Sequence, residues 1–437
     1  MPLSGALFAS VSGLDATSTA ISVVGDNIAN VNTPGFKARR TEFADVLGQS
    51  ISTAGGFSQI GAGAKVGDIR SQFTQGTFET TNRTTDLAIE GRGFFILDGP
   101  QGRAFSRAGI FTFDADGVLV NPEGREVQGF QIDPITQVSN GQVGSIQISN
   151  AIAPPRPTSV LDVSVNLDAD APVIPGGFDP ADPNGTSELQ TVVTVFDSLG
   201  NEHSATVFFT KSAINAGPPP STTWDFNVAL PANETTLPPA NPGDEQVVQG
   251  GGALTFDANG VLTAATGTAL TLEFAGGVAP GQPMTLGFGP IAGVGAGDAT
   301  TQFGTGSATN SFTQDGFAAG SLQGILVDGA GILSGLFSNG ETIPIAQVAL
   351  ANFANVEGLQ STGNTNLVAT RASGQPLIGS PLSAGLGSVR ASSLEQSNVD
   401  LATEFVRLII NQRAFQANTR TISTTNDLLG DLVQLGR

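Results

Sequence analysis

Cysteine and tyrosine are absent from this chain of 437 residues, and histidine and tryptophan occur once each, as His203 and Trp224. Without cysteine there are no disulfides and no thiolate metal sites. A single histidine removes most metal centres and most His-dependent catalytic schemes. Basic residues are also scarce, 18 against 38 acidic, for a net charge of −20. Between Pro157 and Thr370 a single basic residue, Lys211, faces nineteen acidic ones. Such a surface repels nucleic acid and anionic lipid and keeps the body soluble. No continuous apolar run approaches the ~18 residues of a membrane span, so membrane insertion is not expected. A secretory signal needs a positive n-region, and the first basic residue is Lys37. Export is therefore expected to use a route that cleaves no such peptide.

What is present is concentrated at the two ends. Leu7, Leu14, Ile21 and Ile28 recur every seven residues, as do Leu401, Leu408, Phe415, Ile422 and Leu429. A seven-residue apolar period marks helices that pack lengthwise on other helices. Beside the first line run Leu3, Val24 and Val31, interrupted by Ser10 and Thr17. The first helix is predicted over Leu3–Val31, with Thr33, Pro34 and Gly35 ending it. The last is predicted from Ser397 or Asn398 to about Leu435, roughly 50 Å long, with Ser397 and Asp400 as a capping box. An ordinary globular helix also carries such a stripe. Here the stripes sit at the chain ends, behind Gly/Ser-rich connectors, with no adjacent core to cover them.

The remainder reads as β-structure. Phe111 and Phe113 alternate with Thr112 before Asp116-Gly117 turns into Val118–Val120, a hairpin pattern. A related phrase runs from Leu254 to Leu262, and Ser338-Asn339-Gly340 marks another turn. The fold class is multidomain and mainly β, with helical termini and a nested order. Residues 1–36 and 395–437 form a helical, coiled-coil inner layer. Residues 37–80 and 373–394 are extended connectors, and 81–156 with 311–372 form a first β domain. Residues 157–310 are an inserted acidic outer β domain, of short turn-bounded strands as in a sandwich or barrel.

Candidate chemistry is thin. Gly91-Arg92-Gly93 lacks the third glycine, the following helix and the ribose-binding acid of a phosphate loop. Asp114-Ala-Asp116-Gly117 lacks the oxygen ligands of a calcium loop, and Arg125 stands where the twelfth-position Glu would be. His203 has no local nucleophile motif beside it and reads as a strand-start residue. No catalytic, cofactor or metal residue is assigned, and no enzyme activity is expected.

The termini resemble the bacterial flagellar rod and hook proteins, an axial family. The first signature is Val11-Ser-Gly-Leu14 with Asn27-Ile-Ala-Asn30-Val-Asn32-Thr33-Pro34-Gly35-Phe36-Lys37. The second is Ser397-Asn398-Val399-Asp400-Leu401 through Asn411-Gln412-Arg413-Ala-Phe415-Gln416-Ala-Asn418. Internal segments also resemble hook subunits: Val195–His203, Gln314-Asp-Gly316 and Leu350–Leu359. Phe415 departs from the family, which often has Tyr there. The resemblance implies a homopolymeric helical tube, the curved hook that acts as a universal joint between rod and filament in motility. It implies export through the flagellar type III apparatus and placement in the extracellular hook and basal body. The implied partners are a hook cap protein, the distal rod protein and a hook–filament junction protein. A straight distal rod protein of the same family is the first alternative and a secreted β-rich adhesin the second. As monomers the thin-seamed ends are expected to be largely unfolded, because one narrow stripe offsets little ordering entropy.

Overall fold

The structure, a computed structural model, describes all residues except 1, 54–55, 134–137, 149–151, 242–243, 277–279, 292–297 and 436–437. The chain divides into two compact units. The first holds residues 1–150, 323–336 and 342–437; the second holds 151–322 and 337–341. The terminal helices, the connector and the first β domain, expected as successive layers, thus fall within one unit.

In the first unit, helix α1 spans Pro2–Ala29 and helix α2 spans Leu401–Leu435. Averaged over Gly5–Ala29, α1 is long and apolar enough to cross a membrane, although no uninterrupted apolar run is. The stretch expected as a connector forms a long antiparallel hairpin, β1 (Arg39–Thr53) and β2 (Gly56–Ser71), with several register shifts. The hairpin lies along α1: the Ala64 N–H donates to Ser12 Oγ at 3.3 Å.

The body of this unit is an antiparallel sheet whose central strand is Phe94–Asp98. Phe95 and Leu97 enter one core with Leu87, Ile89 and Val127. Phe94 and Ile96 enter a second core with Phe105 and Phe353 on the opposite face. Burial on both faces explains why this run is continuously apolar rather than alternating. Asp114 Oδ1 accepts from the N–H groups of Asp116 and Val118 at 2.9 and 2.8 Å. That carboxylate fastens the hairpin turn.

The second unit packs two five-stranded sheets around one core. One sheet is an antiparallel meander of Leu189–Phe196, Glu202–Asn215, Ser221–Pro231, Gln246–Asp257 and Leu262–Thr266. The other is built on Val160–Asp168, which pairs in parallel with Gln282–Gly287 and Thr301–Phe303 and antiparallel with Ala308–Gln314. Trp224, Phe226, Phe209, Leu161 and Val165 share the core between them, all fully buried. Most of the unit's acidic residues stay at its surface, Asp197 and Asp244 being buried, while its one lysine goes inside. Lys211 Nζ donates to the carbonyls of Ala169 and Ala171 at 2.7 and 2.9 Å. His203 is the second residue of its strand and is buried. It sits 3.1 Å from Asp197 and 3.3 Å from Glu234, stacked on Phe274.

The sole tryptophan lies in this core, so its emission reports the unit's unfolding. Phe226→Ala should lower the stability read by Trp224 fluorescence in urea by about 3–5 kcal/mol. A loss below about 1 kcal/mol would mean that the two sheets do not share a packed core.

Candidate assembly interface

The N-terminal motif and the start of α2 meet in a buried polar knot. The Glu395 carboxylate is fully buried and is shared by two cations. Its Oε1 accepts from Lys37 Nζ at 2.6 Å and from the Gly76 N–H at 2.9 Å. Its Oε2 lies 3.3 Å from Arg107 Nη1, and Arg107 Nη2 donates to the Gly91 carbonyl at 2.7 Å. Lys37 also donates to the Thr74 carbonyl at 2.8 Å. Burial pushes the Lys37 ammonium below its ordinary value of 10.5, with Glu395 opposing the shift. Burial lowers Arg107 in the same way. A lysine lowered by folding binds fewer protons than in the unfolded chain. Its contribution therefore rises with pH up to about 10.5 rather than being lost there.

Gly35 makes the knot possible. Its φ is +73°, and a Cβ there would sit 2.4 Å from the Ala108 nitrogen. Its N–H donates to the Glu395 carbonyl at 2.7 Å. Asn398 completes the join: Oδ1 accepts from the Ala38 N–H at 2.7 Å, and Nδ2 donates to the Gln72 carbonyl at 2.8 Å. With its side chain spent on those backbones, Asn398 does not begin the helix. The N-cap is Asp400, whose Oδ1 accepts from the Thr403 N–H at 2.7 Å. The expected Ser397–Asp400 capping box is corrected accordingly; Ser397 Oγ accepts only from the Val399 N–H, at 3.3 Å. The Thr403 N–H, then its hydroxyl, hold the exposed Asp400 carboxyl below the usual range.

Beyond the knot, α1 and α2 run antiparallel. Asn27 is fully buried; its Nδ2 donates to the Arg39 carbonyl at 2.7 Å and to Glu404 Oε2 at 3.2 Å. Glu404 also accepts from Arg407 at 2.6 Å. Farther along, Gly13 passes so close to Asn418 that a Cβ would lie 2.8 Å from its Nδ2. The helices therefore meet along small and polar lines. Ser10, Thr17, Ala20, Val24 and Asn27 are buried on α1, and Glu404 and Thr425 on α2, with Asn411 and Asn418 half-buried between them. The last four recur every seven residues, a polar period the apolar reading passed over.

The expected apolar lines flank this seam. Leu7, Leu14, Ile21, Ile28, Leu408, Phe415 and Ile422 are half-buried, while Leu401 and Leu429 are 40% and 39% exposed. Of the motif residues, Asn30, Thr33, Pro34, Phe36 and Val399 are half-buried around the knot and Asn32 is exposed. Gln412, Arg413 and Gln416 are exposed and stand away from α1. Gln412 and Gln416 continue a stripe with Phe405 and Ile409, which are 49% and 50% exposed. Val406 and Ile410 lie beside it, also exposed. Glu395, Arg107 and Glu404, central to the join, stood outside both signatures or went unremarked within them.

Comparisons with known proteins cover the chain in pieces and as a whole. The flagella basal body rod protein family matches residues 7–37, and the hook protein FlgE/F/G D1 domain matches 88–168. The flagellar basal body protein FlaE D2 domain matches 166–317, and the FlgEFG C-terminal family matches 390–435. The flagellar hook protein FlgE of Borreliella burgdorferi is 35% identical over 98% of this chain and 99% of its own length. That of Escherichia coli K12 is 34% identical, over 97% and 98%. The crystal structure of Helicobacter pylori flagellar hook protein FlgE2 aligns with a TM-score of 0.53 at 15% identity, over 73% of this chain and all of that one. At that identity the likeness concerns the fold.

Glu395→Gln should strand two buried cations and lower stability by about 3–5 kcal/mol in urea unfolding followed by circular dichroism. Lys37→Met should cost less, because Arg107 still neutralises Glu395, and it should abolish the alkaline rise in stability. Equal losses would show that the carboxylate is not the shared element. Separately, acidification should fray the start of α2. The Asp400 contribution is complete above the ordinary carboxyl value near ~3.9 and is lost as pH falls through the lower folded value. Asp400→Ala should remove that pH-dependent loss of helicity.

Proposed function

The chain belongs to the flagellar hook protein family, and on that premise we propose that its terminal helices assemble a tube by burying their outward apolar stripes between copies. It is a structural subunit of the bacterial flagellar hook, the curved joint between rod and filament. Its full-length relatives are structural hook proteins, which sets this reading above a distal rod protein or an adhesin.

One observation carries the assembly mechanism. Within the subunit α1 and α2 are joined by small and polar residues, while Phe405, Val406, Ile409 and Ile410 stay exposed. A soluble monomer rarely leaves such a continuous apolar stripe uncovered. On α1, Phe8 and Val11 are also exposed, at 68% and 47%. Covering these residues between copies gains about 25 cal/mol per Å². The half-buried lines through Leu14 and Phe415 complete their burial in the same step.

The nested layers read from the sequence give the rest of the proposal. The acidic unit supplies contacts that slide as the hook bends, because polar surfaces with little apolar burial lack one deep minimum. The Glu395 knot keeps the two chain ends in one layer. The partners implied are the hook cap, the distal rod protein, the junction protein and the type III export apparatus.

Phe405→Ser with Ile409→Ser should abolish polymerisation seen by electron microscopy while leaving the Trp224 unfolding midpoint unchanged. Normal tubes from this variant would sink the assembly proposal. Deleting residues 159–309 should change hook curvature; unchanged curvature would remove the role given to the acidic unit.

A further inference from the structure

A groove of about 500 Å³ opens in the first unit where the chain leaves α1. Lys37, Arg39 and Arg107 are among its walls, in a chain whose net charge is −20. Phe36, Phe73 and Phe94 are also among its lining residues. On its rim stand Asn364 and Thr365, with φ of +50° and +59°. They are the two central residues of the hairpin turn joining Gln360–Gly363 to Asn366–Val368, a turn that needs positive φ at both positions.

The charges inside do not balance. Lys37 and Arg107 share one carboxylate, Glu395. Arg39 has only Asp26, at 3.7 Å, and its guanidinium makes no hydrogen bond among the described residues. Both of those side chains are well exposed to solvent, at 35% and 46%. Of the three cations only Arg39 is substantially exposed in the groove, and its one carboxylate partner, Asp26, stands 3.7 Å away and is itself open to solvent.

We infer that this groove receives an acidic, apolar-flanked segment from a second copy of the chain, and that the segment is the β1 strand around Asp45. Resting on the hook reading, this names one contact of the polymer. Asp45 is exposed and has no ion pair or hydrogen bond among the described residues. Its neighbours two residues away, Phe43 and Leu47, are 50% and 73% exposed. That acid-and-apolar face complements a cationic wall beside aromatic rings. Glu42 and Asp68 on the same hairpin are engaged by Arg40 and Arg70. Six residues along a strand separate Arg39 from Asp45, roughly 20 Å, so one copy's Asp45 does not fill its own groove. In a helical polymer each copy offers two different surfaces head to tail; groove and strand would be such a pair.

Arg39→Lys keeps the charge and supplies an amine for zero-length carbodiimide coupling, which joins the amine to a carboxylate with loss of water. Mixed polymers of isotopically light and heavy chains then separate links between copies from links within one. The expected product is a cross-linked peptide pair joining the substituted position 39 of one copy to Asp45 of another, formed in polymer and absent from monomer. A link only to Asp26, or a link between copies to a carboxylate of the acidic unit, would overturn the inference. Because the chain lacks cysteine, co-polymerised Arg39→Cys and Asp45→Cys proteins give a second reading. A short bis-maleimide, whose reach replaces the side-chain length lost on substitution, should alkylate both thiols and link the two copies in the polymer; failure to link them counts against the contact. If wild-type protein forms no tubes, the hook reading fails first; tubes without the link sink this contact alone.

Discussion

The buried carboxylate of Glu395, held between Lys37 and Arg107, is the contact on which the helical base depends. It joins residues more than 350 positions apart in sequence. A buried charge is tolerated only with its partners in place, so the interaction is close to all-or-none. Once made, it fixes the exit of α1 at Gly35 and the entry of α2 at Asn398 and Asp400. The antiparallel helix pair, the hairpin along α1 and the groove beside Arg39 all take their positions from that join.

The helix pair then divides its chemistry. Polar and small residues face inward along one subunit, from Asn27 and Glu404 to Gly13 and Asn418. Such a seam is specific in register and modest in energy. Phe405, Val406, Ile409 and Ile410 remain exposed, while Val24 is buried and Leu14 and Phe415 are half-buried beside the seam. Folding and assembly are thereby given different surfaces. In the assembly proposed, the exposed stripe of α2 is covered only once the polymer forms. The acidic unit, with its single lysine turned inward, adds a like-charged surface that resists collapse between copies.

Much of this was legible in the chain. The heptads located both helices to within a few residues, because a seven-residue period has few other causes. The Asp-Gly and Asn-Gly turns located hairpins, because those residues accept the backbone a tight turn needs. The charge imbalance ran on to Thr370, past the second unit, and so did not mark its far edge. The connector over residues 39–71 was harder. Its strands carry glycine, serine and short apolar pieces rather than clean alternation, since one side lies on α1 and the other is open. The knot was not legible at all. Glu395 looks like any surface glutamate until tertiary structure buries it, and the polar heptad of Glu404, Asn411, Asn418 and Thr425 carries no hydrophobic signal. Asp400 caps the helix itself instead of closing a box with Ser397, because the Asn398 side chain is diverted to the backbone of residues 72–74.

The account stands on a division between an inward polar seam and an outward apolar stripe. Hydroxyl-radical footprinting of Phe405 in monomer and in assembled tubes tests it most directly. The ring should be oxidised readily in the monomer and protected once the tube has formed. Equal oxidation of Phe405 in both states would contradict the account, because the stripe would then remain open to solvent in the polymer it is supposed to build.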